Sequence, residues 1–435
     1  MLHQQEQTMP RAERAALQAK RLRNLVEHVF AHVDTYTDKF NDLNILPEDI
    51  TSVEDITKLP FTVKDDMRAA YPYGMFAVPL SEIVRVHSSS GTTGQISVVG
   101  YTEDDLSMWT SLVARALDAA GADENDIVQI SYGYGLFTGG LGLHYGTEMI
   151  GATAIPISGG NTQRQIQVLS DFGVTGLAVT PSYAILVAET AEKMGVDLKS
   201  LPLRFGIFGA EPWSENMRKQ LEEAFGIEAF DIYGLSEILG PGVGFECNQH
   251  DGLHINEDHF IIEILDTETL EPVPDGEYGE VVFTTLTKQG IPLIRYRTRD
   301  ISRIVPGDCA CGRTTRRLER ITGRSDDMLI IRGVNVYPTQ IEQILLEIPE
   351  VAPHYQIVLT KKGSLDDVEV RVELNEDIDF DEIKSLEKIT SSVRGAIASA
   401  LAISVKVKLV EPHTIARSEG KAQRVVDLRE EGSNS

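Results

Sequence analysis

The sequence predicts an α/β protein with a large N-terminal domain, made of α/β layers plus a small β subdomain, and a small α+β C-terminal domain. Two changes of pattern carry this prediction. Residues 106–234 alternate helix-like stretches with short apolar strands, which indicates strands that run largely parallel. From His254 strand-like segments follow one another, and beyond Arg324 helices and strands form a compact unit of their own.

The bulk properties narrow the class of protein. A chain of 435 residues is too long for one compact domain of common size, so two or more domains are expected. The net charge of -26 argues against nucleic acid or an anionic membrane as the main partner, because both would repel the chain. The polar N-terminus, the lack of a long apolar run and the small number of cysteines favour a cytoplasmic protein.

The elements follow from apolar spacing. Leu22, Leu25 and Val29 recur at helical intervals, so residues 11–40 are expected to be amphipathic helix. Helices are further predicted at 106–120, 163–172, 183–194, 215–225, 339–348 and 383–401. Strands are predicted at 127–131, 152–157, 176–180, 205–209 and 229–234, then in the segments 253–266, 279–286 and 292–305, in a hairpin over 355–374 and in a final strand over 404–411.

The domain boundary is predicted at Ser325 to Met328, where the charged pair Asp326 and Asp327 makes an exposed hinge. This choice divides the chain into residues 1–324 and 329–435.

A loop dense in serine, threonine and glycine, HSSSGTTG, lies between two strand-like segments at His87 to Gly94. Glycine lets successive amide hydrogens converge on one point, and the hydroxyls add donors for phosphoryl oxygens. Gln95 follows the last glycine, whereas a Walker phosphate loop needs a lysine there and a helix after it. Taken alone, the loop is also consistent with an ordinary Ser/Gly surface turn.

Other segments carry candidate chemistry. In residues 131–146 glycines alternate with Tyr132, Tyr134 and Phe137, a composition that suits a cavity for a flat apolar ligand or an aromatic turn in the core. Ser236 and Glu237 follow the end of a strand, where open α/β sheets bind ligands, although a glutamate there is commonly just solvated.

Two charged residues near strand ends and turns complete the candidates. Asp300 ends a strand, and its carboxylate can accept both hydroxyl hydrogens of a ribose. Lys421 follows a glycine in an exposed C-terminal turn, where a lone lysine ordinarily has no special role.

Together and in this order, the segments YGYGLFTGGLG, DIYGLSE, GPGV, RYRTRD, RITGRSDDMLIIRGVN and SEGKA resemble the acyl-adenylate-forming superfamily, and within it the phenylacetate–CoA ligases. The resemblance runs from about Leu59 to the last helix. It implies an ATP- and Mg²⁺-dependent ligase that activates phenylacetate, or a close aryl acid, as an acyl-adenylate. Coenzyme A then takes the acyl group, with release of AMP and pyrophosphate. The resemblance thus implies a small-molecule aryl acid, ATP and CoA as partners, and it also implies a homodimer.

Alternatives stay open beside this reading. The acid could be indole-acetate or benzoate, or the acceptor could be something other than CoA. A non-catalytic nucleotide-binding descendant of such ligases, and a phosphoryl-transfer enzyme that yields ADP, are rivals from other classes.

The resemblance also implies roles for individual residues. The β- and γ-phosphates of ATP would be held by Ser88, Ser89, Ser90, Gly91, Thr92, Thr93 and Gly94. The adenine slot would be formed by Gly209, Ala210, Glu211, Asp231, Ile232 and Tyr233. Of these, Gly209 and Ile232 would also border an aryl pocket shared with Tyr132, Tyr134 and Phe137.

Catalytic and mobile parts are implied in the same way. Ser236 would touch the α-phosphate, and Glu237 would ligate Mg²⁺. Asp300 would hold the ribose hydroxyls, Arg324 would reach ribose or phosphate, and Lys421 would reach the α-phosphate and the substrate carboxylate. The C-terminal domain would rotate about Asp326 and bring forward a CoA-side segment, made of Arg332, Gly333, Val334 and Asn335. Gln95 and Ile96 depart from the family, which usually has lysine and often proline there.

The cysteines suggest a metal that this chemistry does not need. Cys247, Cys309 and Cys311, with His254 or His250, form a three-cysteine, one-histidine set suited to tetrahedral zinc. Unrelated buried or free thiols are the alternative. Members of the resembled family often carry the same cysteines, which favours structural zinc with His254 as the fourth ligand.

Overall fold

A computed structural model describes residues 1–89, 96–331, 334–362, 365–418 and 421–429. The predicted phosphate-loop residues Ser90, Gly91, Thr92, Thr93 and Gly94, and the predicted CoA-side residues Arg332 and Gly333, lie outside the described residues. For Asn335 the backbone is described but not the side chain.

The helices are α1 Gln4–Gln7, α2 Arg11–His32, α3 Asp34–Leu43, α4 Lys64–Ala69, α5 Glu103–Ala119, α6 Gly139–Met149, α7 Thr162–Asp171, α8 Pro181–Lys193, α9 Glu215–Phe225, α10 Pro338–Leu345 and α11 Ile383–Leu401. The strands are β1 Arg85–Ser88, β2 Val98–Tyr101, β3 Ile127–Ile130, β4 Thr153–Ile155, β5 Gly176–Val179, β6 Phe205–Gly209, β7 Glu228–Tyr233, β8 Gly244–Phe245, β9 Leu253–Ile255, β10 Phe260–Leu265, β11 Gly279–Thr285, β12 Tyr296–Ser302, β13 Ile304–Val305, β14 Arg317–Leu318, β15 Gly323–Arg324, β16 Leu329–Ile331, β17 Val334–Val336, β18 Val351–Lys362, β19 Leu365–Leu374, β20 Lys406–Val410 and β21 Val425–Asp427.

The N-terminal helix differs from the prediction of one helix over 11–40. The chain breaks at Val33, whose backbone is extended with φ -127° and ψ 101°, and α2 and α3 lie on either side of it. The side chain of Val33 is buried, as are Leu22, Leu25, Val29 and Phe40. The apolar periodicity therefore identified the buried face correctly but did not reveal the bend within it.

A large mixed sheet forms the centre of the N-terminal region, with the strand order β13-β14-β9-β8-β7-β6-β5-β3-β4. The strands β4, β3, β5, β6 and β7 pair in parallel, which confirms the predicted parallel layer. Every residue of β5 and β6 is buried, as expected for parallel strands covered on both faces.

The β subdomain begins later than the sequence predicted. Its four-stranded antiparallel sheet has the order β10-β11-β12-β15. His254, where the prediction placed the start, instead lies in β9, which pairs with β8 and β14 in the large sheet. Both regions are rich in short strands, so periodicity alone could not assign β9 to a sheet.

The strands that flank the predicted phosphate loop are confirmed. β1 and β2 pair antiparallel, with Ser88 opposite Val98 and Arg85 opposite Tyr101. The loop between them thus connects two neighbouring strands.

The C-terminal unit has a hydrophobic core of its own, formed by residues from Leu329 to Val405. Its sheet has the order β20-β19-β18-β21, and the predicted hairpin and the predicted helix 383–401 are present. The predicted final strand is not the last one, because β21 follows it and pairs in parallel with β18. Lys421 therefore lies in the connection between β20 and β21. The hinge at 325–328 stays a prediction.

Among the helices of the described ranges, none combines the length and the apolarity that a membrane crossing would require.

Candidate active site

The carboxyl ends of β6 and β7 approach each other closely at the centre of the large sheet. A Cβ atom on Gly209 would lie 2.3 Å from the carbonyl oxygen of Ile232, so the backbone tolerates only glycine there. Ala210 follows with φ +71°, and Glu211 comes next. This turn and the end of β7 bring the predicted adenine-slot residues together at one edge of the sheet.

Asp231 in β7 is held by a charged network behind the slot. Its N–H donates to Glu246 Oε2 at 2.8 Å, and Arg320 Nε lies 3.6 Å from its carboxylate. Burial and the neighbouring Glu246 raise the pKa of Asp231 to about 6. The network fixes the end of β7, because it binds both the backbone and the side chain of the same residue.

Asp300 lies on β12 beside the end of β7. The Tyr233 hydroxyl donates to Asp300 Oδ2 at 2.6 Å, and Arg324 Nη1 lies 3.5 Å from Oδ1. Burial raises the pKa of Asp300 to about 6, although Arg324 opposes this rise. The structure therefore brings the predicted ribose carboxylate next to the predicted adenine slot.

Arg324 is the residue opposite Asp300 in the pairing of β12 with β15. Its guanidinium also makes a two-pronged contact with Asp326, with Nε to Oδ1 and Nη2 to Oδ2 both at 2.9 Å. Burial works against its charge, but Asp326 and Asp300 raise the pKa of Arg324 overall. One arginine thus contacts both the predicted ribose site and the predicted hinge.

The segment after β7 carries Ser236 and Glu237, and both side chains are buried. The Ser236 hydroxyl lies 3.2 Å from the hydroxyl of Thr138 at the start of α6. Glu237 Oε1 pairs with Lys64 Nζ at 3.1 Å. Lys64, at the start of α4, received no role from sequence reasoning, since one lysine among many charges gives no signal of its own.

Lys288 is a second residue that sequence reasoning missed. It is buried beneath the segment 236–239, where its Nζ donates to the Glu237 carbonyl oxygen at 3.1 Å and lies 4.9 Å from the centre of the Tyr101 ring. Burial lowers the pKa of Lys288 to about 7, and Asp105 and Glu237 only partly oppose this shift. A lysine in the strand-end segment TTLTKQG looks solvent-exposed in the sequence, so its burial could not be anticipated.

Lys421 faces this group of residues from the C-terminal unit. Its side chain keeps contact with solvent, yet desolvation by the surrounding walls lowers its pKa, while Glu211, Asp300 and Glu237 act to raise it. The next residue, Ala422, donates its N–H to Glu211 Oε2 at 3.0 Å. The predicted lysine is therefore near the predicted magnesium ligand, the ribose carboxylate and the adenine slot.

The aromatic residues predicted to line a ring pocket have mixed surroundings. Tyr132 is buried, and its hydroxyl donates to the Val179 carbonyl oxygen at 2.8 Å. The Tyr134 hydroxyl lies 3.3 Å from His144 Nδ1, and Phe137 packs partly buried against the main core. Their part in an aryl pocket stays a prediction.

The three cysteines meet at His254. The candidate ligand atoms of Cys247, His254, Cys309 and Cys311 all lie within 4.8 Å of one another. His254 Nε2 is 3.4 Å from Cys311 Sγ, while its Nδ1 lies 3.0 Å from the Thr315 hydroxyl. Thiolates and imidazole are the ligands zinc prefers, and a hydrogen bond to the second ring nitrogen is usual for a ligating histidine.

The other candidate histidine is elsewhere. His250 Nε2 pairs with Glu228 at 2.9 Å, and its Nδ1 lies 2.8 Å from an Arg218 nitrogen. The described residues therefore place His254, and not His250, with the cysteines.

Comparison with known proteins decides the family. Residues 28–286 match the model of the AMP-binding enzyme family, and residues 333–429 match that of the AMP-binding enzyme C-terminal domain. The chain is 50% identical to a phenylacetate-coenzyme A ligase of Pseudomonas putida, across 95% of this chain and 93% of that protein. It is 47% identical to the phenylacetate-coenzyme A ligase of Thermus thermophilus, across 99% of this chain and all (100%) of that one.

The chain belongs to the phenylacetate–CoA ligase family. The enzyme of the same name from Escherichia coli is 48% identical across 96% of this chain and 95% of its own length. As a family member the chain has the adenylate-forming fold, an α/β N-terminal region with a separate C-terminal unit, which confirms the predicted fold class.

Solved structures of a related CoA ligase in two different states align with this structure to different extents. A 2-hydroxyisobutyryl-CoA ligase in the postadenylation state, with a bound acyl-AMP, aligns with a TM-score of 0.93 at 30% identity, covering 98% of this chain and 92% of that chain. The same ligase with acyl-AMP and CoA in the thioesterification state aligns at 0.73 over the same shares, 98% and 92%. In the present chain, the N-terminal region and the C-terminal unit are therefore arranged as in the postadenylation structure of that ligase.

Proposed function

We propose that this chain is an ATP-dependent phenylacetate–CoA ligase, which forms phenylacetyl-adenylate and then phenylacetyl-CoA, with release of pyrophosphate and AMP. The identity of 50% to the Pseudomonas putida phenylacetate-coenzyme A ligase, maintained over nearly the whole chain, is the observation that carries the proposal. The contact of the Ala422 N–H with Glu211 Oε2 at 3.0 Å, next to Lys421, supports it, as do the effects of Glu211, Asp300 and Glu237 on the pKa of Lys421.

In the first step a carboxylate oxygen of the acid bonds to the α-phosphorus of ATP, and the bond from that phosphorus to pyrophosphate breaks. Both reactants are anionic, so the site must hold them in line and neutralise the charge that builds up at the α-phosphate. Lys421 supplies a positive charge from the C-terminal side. Ser236 stands at the end of β7 to donate to the α-phosphate.

Mg²⁺ bound with ATP would supply further positive charge, and Glu237 is the carboxylate that fits it. Hard cations take few carboxylates together with phosphate oxygens and water. Glu237 is buried, so its charge needs a cation, and Lys64 provides one at 3.1 Å in this structure. Lys64 is partly exposed, so it would give up Glu237 to a bound Mg²⁺.

Asp300, Arg324 and the adenine slot would hold the nucleoside part. Asp300 accepts a hydrogen bond on Oδ2 from Tyr233, while Oδ1, within the described part of the chain, has the 3.5 Å contact with Arg324. This leaves acceptor capacity for ribose hydroxyls, since an ionised carboxylate has about four lone-pair sites. Of the slot residues, Gly209 ends β6, which pairs with β7, and Ala210 and Glu211 follow it.

In the second step the CoA thiolate attacks the acyl carbon, and AMP leaves with its phosphate oxygen. Lys421 is then no longer needed, and the thiol must approach from another direction. We infer a rotation of the C-terminal unit about residues 325–328 that withdraws Lys421 and brings forward Val334 and its neighbours. The two arrangements of the 2-hydroxyisobutyryl-CoA ligase, matched at 0.93 and 0.73, support this inference.

A structural zinc ion is part of the proposal. Cys247, His254, Cys309 and Cys311 have the donor types and the closeness that a closed tetrahedral site requires. None of these four residues is assigned to either step, so zinc would tie strands and loops together without taking part in the chemistry.

Lys421→Ala tests the function directly. We expect the variant to lose about a hundred- to thousandfold in pyrophosphate–ATP exchange with phenylacetate, because removing one preorganised charge commonly costs that much. Formation of phenylacetyl-CoA from supplied phenylacetyl-adenylate should be much less affected. Lys388→Ala, an exposed lysine on α11, is the matched control.

The same assay distinguishes the rivals when AMP, ADP and acyl-CoA are resolved. Equal amounts of AMP and phenylacetyl-CoA support the proposal. AMP with benzoate or indole-acetate alone would keep the mechanism and replace the substrate, and ADP as product would refute the mechanism.

A further inference from the structure

A group of charged side chains crosses between the two units, separate from the nucleotide site. Glu189, on α8, belongs to the N-terminal region. Its Oε1 is within hydrogen-bond distance of His354 Nε2 on β18, and its Oε2 lies 3.4 Å from Arg417 Nε. One carboxylate of the N-terminal region therefore binds two residues of the C-terminal unit.

Arg417 is itself fixed to its own unit. Its Nη1 and Nη2 each donate to a different oxygen of Glu373 at 2.8 Å, and Glu373 is fully buried. Glu373 also accepts from the backbone N–H groups of His413 and Ile415. The segment 413–417 is thus anchored to the C-terminal sheet, and Arg417 extends from this anchor to Glu189.

The anchored segment leads directly to Lys421. Arg417 precedes the lysine by four residues, and Ala422 follows it and donates to Glu211 Oε2 at 3.0 Å. Carboxylates of the N-terminal region, Glu189 and Glu211, therefore hold the chain on both sides of the lysine.

We propose that Glu189 is a positioning residue for adenylation, which pairs with His354 and Arg417 and so holds the C-terminal unit where Lys421 reaches the site. This proposal rests on the proposed function, in which Lys421 acts only in the first step, adenylation. Glu189 itself does not touch the reacting groups.

The charges of this group are balanced in the observed arrangement. Burial lowers the pKa of His354 and so disfavours a charged imidazole, although Glu189 opposes this shift, while Arg417 carries a positive charge beside Glu189. Burial opposes ionisation of Glu189, but His354 and Arg417 together lower its pKa. The side chains of Glu189 and Arg417 are 26% and 15% exposed, so rotation would return them to water without leaving either charge buried.

This balance suits a contact that must form and break in each catalytic cycle. We call this contact, made by Glu189 with His354 and Arg417, the latch. A fully buried ion pair would be costly to break, and a fully exposed one would hold little. Because both partners are partly solvated, the contact can favour one arrangement and still open in each catalytic cycle.

Glu189→Gln tests the latch, with Glu192→Gln as the matched control, since Glu192 is exposed on the same helix. The two half-reactions are measured separately: pyrophosphate–ATP exchange with phenylacetate, and phenylacetyl-CoA formation from supplied phenylacetyl-adenylate. We expect exchange to fall about tenfold in Glu189→Gln, with the thioester step unchanged or faster, because the contact is intermediate between an exposed and a buried ion pair. Glu192→Gln should match the wild type in both.

A double-variant cycle with His354→Ala separates positioning from general damage to the fold. If the two residues act through one contact, His354→Ala should lower exchange far less in the Glu189→Gln background than in the wild type. Equal loss in both half-reactions, or additive losses in the cycle, would overturn the latch. A wild-type protein active in both half-reactions with an unchanged Glu189→Gln variant overturns the latch alone, whereas a wild type without exchange overturns the proposed function as well.

Discussion

Lys288 is a charge that its surroundings disfavour. The residue is buried beneath the Glu237 segment, and burial lowers its pKa from 10.5 to about 7. Between these two pKa values, about 7 and 10.5, the folded protein has largely lost a proton from Lys288 that the unfolded chain still binds. The free energy of unfolding must therefore rise with pH, and the full cost of the buried charge is present below pH 7.

Lys288→Met removes this titration. We expect the free energy of unfolding of the wild type, relative to the variant, to increase between pH 7 and pH 9 by up to about 1.4 kcal/mol per pH unit. Urea unfolding of both proteins at each pH measures the difference. Lys384→Met, an exposed position on α11, should show no such trend, and parallel pH curves for wild type and Lys288→Met would contradict the prediction.

At the residue scale, sequence reasoning found the groups whose position after a strand is itself informative. Glu237 and the turn after Gly209 follow strands, whereas Asp300 lies within β12, where it contacts Tyr233 at the end of β7. Lys64, Lys288 and Glu189 were missed, because their importance comes from tertiary contacts with residues between 51 and 228 positions away. The local sequence pattern cannot show which residues so far apart in the chain come into contact.

At the scale of elements, the cysteine cluster joins parts of the chain that hydrogen bonding alone connects weakly. His254 lies in β9, Cys247 follows β8, and Cys309 and Cys311 lie between the two-residue strands β13 and β14. Strands this short contribute few ladder hydrogen bonds. A shared metal would fix their relative positions.

We expect the purified protein to contain about one zinc ion per chain, since three cysteines and one histidine complete a tetrahedral site. His254→Gln should lower the metal content and the melting temperature, because binding of a structural ion contributes to folding. His250→Gln should keep the metal, as His250 lies outside the cluster. Elemental analysis and thermal unfolding measure both, and metal-free wild-type protein of unchanged stability after chelation would refute the zinc site.

Element positions were largely predictable, whereas their assignment to sheets was not. The parallel strands and most helices between residues 103 and 233 were found because long alternation of helix and strand has one common solution. Helix α6, Gly139–Met149, was not predicted, because its glycines argue against a helix. β9 and β21 were misplaced or missed, since strands of three residues carry too little periodicity to show which sheet they join.

At the scale of the whole molecule, we expect the arrangement of the two units to decide which half-reaction is possible. Helices α9 and α10 come from different units, and Asn216 Nδ2 donates to the Gln343 carbonyl oxygen at 3.1 Å. This contact belongs to the arrangement that presents Lys421. The CoA-dependent step should require that it open.

A crosslink at this contact should separate the two steps. In a protein carrying Asn216→Cys and Gln343→Cys, treatment with a short bismaleimide should preserve pyrophosphate–ATP exchange and abolish phenylacetyl-CoA formation, since the C-terminal unit can no longer rotate. The single-cysteine proteins, treated alike, show what modification of the native cysteines does. Thioester formation at the wild-type rate in the crosslinked protein would show that no rotation is needed.

Arg324 touches Asp300 on one side and Asp326 on the other, and this shared cation links two equilibria. If AMP on Asp300 changes how strongly Arg324 holds Asp326, then nucleotide occupancy changes the free energy difference between the two arrangements. Thermodynamic reciprocity then requires each arrangement to have its own affinity for AMP, by the same factor. Arg324 would then couple the release of AMP to the reorientation of the C-terminal unit. The arrangement in which Arg324 holds Asp326 less strongly would also be the one that releases AMP.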